Sequence, residues 1–207
     1  MAHVMRLATE KHQEHAMKAA IFFATREGQT RKIAERVAAD VRAHGVDADV
    51  ISVKALRSPI RWSDYTIACL AASVHGGRHE REMIAFARQH RDELVRRRGV
   101  FLSVTLSEAG AEDPNAPLDR RQRAAADAQR MIDVFIAETG WRPARSMPVA
   151  GALTYSRYNF FIRFVMKRIA RSQGAPTDTS RDYEFTNWAA VDAMAEQLVA
   201  PADTAGR

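Results

Sequence analysis

The feature that most constrains this chain is a regular exchange of short apolar runs for longer amphipathic ones. Residues 19–24, Ala-Ala-Ile-Phe-Phe-Ala, are apolar without alternation, the pattern of a strand buried on both faces. Residues 28–43 follow, with Ile33, Ala34, Val37, Ala38 and Val41 at helical spacing and Gly45 as terminator. Further strands are expected at 46–53, 65–73, 100–106 and 147–153, and further helices at 80–97, 119–139 and 188–198. A polar loop with Pro114 and Pro117 is expected ahead of the helix at 119–139. Helical crossovers return the chain parallel, so the pattern predicts an α/β fold with a doubly wound five-stranded parallel sheet. No period of about 20–50 residues repeats, which argues against a solenoid.

Composition narrows the class. The 207 residues are 46% hydrophobic and 27% charged, ordinary for a globular chain and of a length that suits one larger domain. The single cysteine, Cys69, rules out a disulfide framework and a cysteine-based zinc site, and its place mid-strand reads as core. No stretch approaches the roughly 18–20 uncharged apolar residues of a membrane-spanning helix. Residues 1–16 carry three histidines and no apolar core of a signal peptide. They are expected to be a disordered extension, Met17 being an alternative start, with the domain at 17–199 and a loose tail at 200–207.

In open sheets of this kind the ligand sits beyond the carboxyl ends of the strands, which directs attention to three loops. After the first strand comes Thr25-Arg26-Glu27-Gly28-Gln29-Thr30. Gly28 permits a tight turn, the two threonines offer hydroxyls, and the following helix presents free N–H groups, together a nest for a phosphate monoester. The competing reading is a plain helix cap by Thr25 or Thr30. Neither G-x-x-x-x-G-K-[ST] nor G-x-G-x-x-G is present, which disfavours a nucleoside triphosphate and a dinucleotide. The T-x-x-G-x-T pattern resembles the phosphate loop of flavodoxins, which holds FMN; Glu27 beside a phosphate is tolerable if its carboxylate points away.

The resemblance implies that the other two loops flank the isoalloxazine ring, through Ser73, Val74, His75 and Gly76 after the third strand and Ser103, Val104, Thr105 and Leu106 after the fourth. Neither loop contains Trp, Tyr or Phe, so His75 is the candidate for stacking and, titrating near neutrality, for catalysis. No carboxylate or cysteine stands at a ligand spacing from His75 and His79, and no metal is expected.

Charge is concentrated late in the chain. Between Gly151 and Arg181 stand Arg157, Arg163, Lys167, Arg168, Arg171 and Arg181 against the single acid Asp178, a local +5 within a chain of net charge +6. On a helical wheel over residues 159–172, Arg163, Lys167 and Arg171 share one side, with Arg168 nearby, and Ile162, Val165, Met166 and Ile169 lie opposite. A basic amphipathic helix of this length rests on an anionic membrane surface or packs on its own domain, and is too short to span.

The block Ala150-Gly151-Ala152-Leu153, Tyr155, Arg157-Tyr158, Arg163-Phe164, Met166-Lys167, Thr177-Asp178-Thr179 and Thr186-x-Trp188, with Ala24–Thr30 and Trp141-Arg142-Pro143, resembles the bacterial menaquinone-dependent protoporphyrinogen IX dehydrogenase family. The likeness runs from about Met17 to Leu198. It implies a flavodoxin-like fold with FMN, a basic helical insertion at about 155–182 near the last strand, and transfer of electrons from protoporphyrinogen IX to menaquinone or ubiquinone in haem biosynthesis. It also implies peripheral attachment at the cytoplasmic face of the inner membrane, with Arg157, Arg163, Lys167 and Arg168 binding the substrate propionates or anionic lipid. A homo-oligomer is compatible with these features, and no nucleic acid is expected, since no reading motif accompanies the charge. Two alternatives share the fold: an electron carrier, which the sequence pI near 9.9 disfavours, and an NAD(P)H-dependent quinone reductase.

Overall fold

The computed structural model describes residues 17–157 and 178–200. Five parallel strands form the centre: β1 (Lys18–Ala24), β2 (Asp47–Ser52), β3 (Ile67–His75), β5 (Arg98–Thr105) and β6 (Arg145–Ala150), in the spatial order β2-β1-β3-β5-β6. The two-residue β4 (Arg78–His79) folds back antiparallel on the end of β3. β1 lies between β2 and β3, and helices pack on both faces of the sheet over it, which is why it is apolar without alternation.

Alternate residues of β1 feed two separate cores. Ala19, Ile21 and Phe23 join Ile33, Val37 and Val41 of α1 (Gln29–Ala43) and Val191, Met194 and Leu198 of α6 (Trp188–Val199). On the other face Ala20, Phe22 and Ala24 meet Met83 and Phe86 of α2 (Arg81–Gln89), Leu94 of α3 (Arg91–Val95), Ile132 and Phe135 of α5 (Leu118–Thr139), and Trp141. Cys69 is buried in the first core, where desolvation pushes its thiol up to about 12 and leaves it inert as a nucleophile. Gly99 has a packing reason: a β-carbon there would stand 2.6 Å from the Trp141 ring.

Several local expectations are corrected. The helix expected at 80–97 is two helices broken at His90, whose ring packs on Trp62 and Phe86 and accepts the Trp62 indole N–H at 3.3 Å. The polar loop expected after the fourth strand holds a further helix, α4 (Leu106–Glu112), capped by Thr105 Oγ1, which accepts the Ser107 N–H at 3.2 Å. The strand expected at 147–153 ends at Ala150; Ala152–Leu153 turns off the sheet as β7 and pairs antiparallel with β8 (Tyr183–Glu184). The third and fourth strands run Ile67–His75 and Arg98–Thr105 instead of 65–73 and 100–106. Ala200 is the cap that follows α6, its N–H donating to Glu196 O at 3.0 Å. The extension at 1–16, the helix expected at 159–172 and residues 201–207 lie outside the described residues.

The β7–β8 ribbon joins the two ends of the basic insertion. Leu153 and Tyr155 are fully buried against Leu106, Tyr183 and Phe185. Asp182 accepts the Ser156 N–H at 2.8 Å and the Ser156 hydroxyl at 2.6 Å.

Candidate functional site

The chain leaves β1 toward one face of the sheet and β3 toward the other, so the crevice above their carboxyl ends is the switch point of the topology. Four segments wall it. Thr25, Glu27, Gln29 and Thr30 come from the first loop, Ser73, Val74 and His75 from the end of β3, and Val104, Thr105 and Leu106 from the end of β5. The fourth wall, Gly151 and Ala152, was not among the expected site residues. The break in periodicity at Gly151 was its available signal. A β-carbon there would touch Val104 at 3.4 Å.

The first loop turns on Gly28, at φ 102°, a left-handed conformation that glycine adopts without strain. Its N–H donates to Thr25 Oγ1 at 3.0 Å, holding the loop in shape. The N–H groups of the first turn of α1 have no intrahelical acceptor, and this turn carries no acidic side chain to answer the helix dipole. Thr30 is fully buried, and its Oγ1 has no hydrogen-bond partner. A buried hydroxyl in that state costs about 1–3 kcal/mol. An anion at the end of α1 would satisfy the hydroxyl, the backbone donors and the dipole together, so the residues present fit a phosphate group. Gln29 is not a phosphate donor through its side chain, which donates instead to Thr186 Oγ1 at 2.8 Å; Thr186 in turn donates to Ala150 O at 2.7 Å, tying the loop to the return of the insertion.

Charge at the crevice centres on Glu80, which the sequence reading did not single out. Its side chain is 1% exposed, yet it meets Arg26 Nε at 3.0 Å, Lys54 Nζ at 3.1 Å and His75 Nε2 at 3.4 Å. Ser73 Oγ also donates to it at 3.3 Å. The Arg26 side chain is thereby engaged with Glu80. Glu27 Oε2 lies 3.2 Å from His75 Nε2, and both side chains line the crevice. Gly76 and Gly77, at φ 58° and 78°, form the two-residue turn joining His75 to Arg78, which explains the glycine pair.

Ser103 and His79 belong to the core beneath. Ser103 is fully buried, with its hydroxyl 2.9 Å from His79 Nε2. His79 sits edge-on to Phe101 and Phe135, and burial lowers its pKa to about 4. Arg157 closes a short turn at Tyr155–Arg157, while Arg163, Lys167 and Arg168 lie outside the described residues. Among the described residues no cluster of three or more metal-ligating side chains occurs, and no helix is long and apolar enough to cross a membrane.

Comparison with known proteins bears on this crevice directly. Residues 20–180 match the flavodoxin domain family, and a flavodoxin domain implies a flavin cofactor. The protoporphyrinogen IX dehydrogenase (quinone) of Escherichia coli strain K12 is 32% identical over 182 residues, covering 88% of this chain and 94% of that one. The protein of the same description from Leishmania major is 29% identical, covering 88% of this chain and 75% of that one. Among solved structures, oxidised flavodoxin 1 of Bacillus cereus aligns with 88% of this chain and 97% of its own, at 13% identity and a TM-score of 0.48. With a family match over most of its length and a curated relative matched nearly end to end, this chain belongs to the flavodoxin-domain family of quinone-linked protoporphyrinogen IX dehydrogenases.

Proposed function

We propose that this chain, an oxidoreductase by family, uses FMN to oxidise protoporphyrinogen IX to protoporphyrin IX and passes the electrons to a respiratory quinone, menaquinone or ubiquinone. The observation that carries this reading is the match along nearly the whole of both chains to the Escherichia coli enzyme, which extends beyond what a bare electron-carrier core would require. When bound, FMN supplies reversible two-electron chemistry, so the six-electron oxidation of the macrocycle takes three turns, each followed by discharge to the quinone.

The protein's part is to bind and orient. Thr30 Oγ1 and the first-turn N–H groups of α1 would take the phosphate, with Thr25 fixing the loop through Gly28. Ser73, Val74 and His75 on one side and Val104, Thr105 and Leu106 on the other would flank the ring, and Gly151 with Ala152 would close the wall. Ser103 would contribute through its backbone, since its hydroxyl is engaged with His79. The basic insertion is the proposed contact for the two propionates or for anionic lipid at the cytoplasmic face of the inner membrane, through Arg157, Arg163, Lys167 and Arg168.

The test is anaerobic mixing of the FMN-loaded protein with protoporphyrinogen IX, following flavin absorbance and porphyrin fluorescence together. Flavin bleaching matched by porphyrin formation, reversed by added quinone, is the expected result. A bound flavin that stays oxidised would overturn the dehydrogenase reading, and failure to bind FMN would overturn the cofactor assignment.

A further inference from the structure

The proposed reaction leaves one proton without a residue. Each two-electron oxidation removes from the porphyrinogen the equivalent of a hydride and a proton, so that over the three turns four meso C–H and two N–H bonds break. FMN, when bound, would supply the two-electron relay, and the quinone needs two electrons and two protons. One proton per turn must therefore be held between the two half-reactions or exchanged with solvent.

We propose that His75, set between Glu27 and Glu80, stores this proton: it accepts it as the porphyrinogen is oxidised and returns it as the quinone is reduced. The inference rests on the flavin reading and goes beyond it. His75 lines the crevice, with Nε2 at 3.2 Å from Glu27 Oε2 and 3.4 Å from Glu80 Oε1. Two carboxylates steady an imidazolium, but here they are themselves answered. Arg26 and Lys54 both pair with Glu80, at 3.0 and 3.1 Å, so two negative charges face two positive ones. Glu82, 3.6 Å from Lys54, is half exposed and screened by solvent. Arg78, whose backbone pairs with His75, is drawn off to Glu138 at 2.8 Å. With these neighbouring charges in balance, His75 is the crevice side chain placed to take up a proton when charge arrives there on reduction.

Glu80 is a positioning residue in this scheme. Its buried carboxylate joins Arg26 from the first loop, Lys54 from the segment after β2, and Ser73 and His75 from β3. The balance closes without any further reactant. In each turn His75 would take the proton that leaves the porphyrinogen and give it up as the quinone, receiving the electron pair that bound FMN would relay, becomes the quinol, so that the protein returns to its starting state.

The store has a signature that needs no porphyrin. For a two-electron couple a tenfold change in proton activity moves the potential by about 30 mV for each proton taken up. Redox titration of the FMN-loaded full chain across pH 6–8.5 should give a wild-type slope near 59 mV per pH unit through part of that range, because two protons accompany the two electrons. His75→Asn and His75→Gln, at a partly exposed position, should both give about 30 mV per pH unit throughout. Anaerobic reduction by protoporphyrinogen in the presence of a pH-indicator dye should correspondingly release about one more proton per flavin in the variants than in wild type. Equal slopes in wild type and variants would overturn the proposal while leaving the dehydrogenase reading intact. A difference in slope from a protein that does not oxidise porphyrinogen would support the store and sink the substrate assignment, and failure to bind FMN would overturn both.

Discussion

The two faces of the sheet hide their polar groups in different places. On the face covered by α1 and α6 the core is aliphatic, built from Ile21, Ile33, Val37, Leu102 and Val191 with small residues between them. At its upper end is Thr30, whose buried hydroxyl has no partner within the protein. The face covered by α2, α3 and α5 is aromatic: Phe101 and Phe135 stack at 3.9 Å, with Trp141 edge-on to both. Its buried polar pair, His79 and Ser103, is mutually satisfied, and the Trp141 indole N–H is buried without a partner inside the aromatic cluster. Each face thus holds an unmet donor, but that of Thr30 belongs to a residue lining the crevice, whereas that of Trp141 lies within packed rings. Place, and not the cost of an unmet donor alone, distinguishes a binding position from a structural one.

The largest effect is expected where the aromatic face is densest. Trp141 is fully buried and fills the space left by Gly99, so Trp141→Ala should lower stability by about 3–5 kcal/mol in chemical denaturation. On the aliphatic face Ile33→Val removes one methylene and should cost about 1 kcal/mol. Equal losses would mean that the aromatic cluster is not the tighter of the two cores.

Much of this frame was legible because its signals are local. A central strand covered on both sides must be apolar throughout, as residues 19–24 are, and a helix lying on such a sheet must carry one stripe, as Ile33, Val37 and Val41 do. The turn at the T-x-x-G-x-T loop was readable for the same reason, since its geometry resides in six consecutive residues. What escaped depends on partners distant in sequence. The break at His90 is set by Trp62, 28 residues earlier, and the end of β6 by β8, more than thirty residues later. Glu80 looked like a residue opening a helix, because nothing nearby announces Arg26 or Lys54 as its partners. The fourth wall at Gly151 and Ala152 was hidden by reading residues 147–153 as one unbroken strand.

A second prediction separates the faces by pH. Burial lowers the pKa of His79 from 6.5 to about 4, so the folded state binds fewer protons than the unfolded chain between these values. The associated stability is complete above about pH 6.5 and is lost as pH falls toward 4, a change on the order of 3 kcal/mol. Unfolding free energies measured from pH 7.5 down to 4 should show this decline in wild type. His79→Gln, which can still meet Ser103, should remove the His79 share and flatten the profile. An unchanged slope would place the acid sensitivity elsewhere, with the partly exposed His90 the next group to test.

Thr30 gives the smallest change in stability and the sharpest test of the contrast, because its two effects have opposite signs. Thr30→Val keeps the shape and removes the hydroxyl. In the flavin-free protein this relieves an unpartnered buried group, so stability should rise by about 1 kcal/mol. A hydrogen bond to a charged phosphate is worth about 1.5–3 kcal/mol, so the same substitution should weaken FMN about 10- to 100-fold. Riboflavin, which has the ring without the phosphate, should bind wild type and variant alike. Fluorescence titration with both ligands, beside thermal unfolding of the free protein, measures all three quantities. If Thr30→Val destabilised the free protein and left FMN affinity unchanged, the hydroxyl would be an ordinary structural donor, and the two faces would not differ in the way proposed. If riboflavin weakened as much as FMN, the hydroxyl would be shaping the ring site instead of meeting the phosphate.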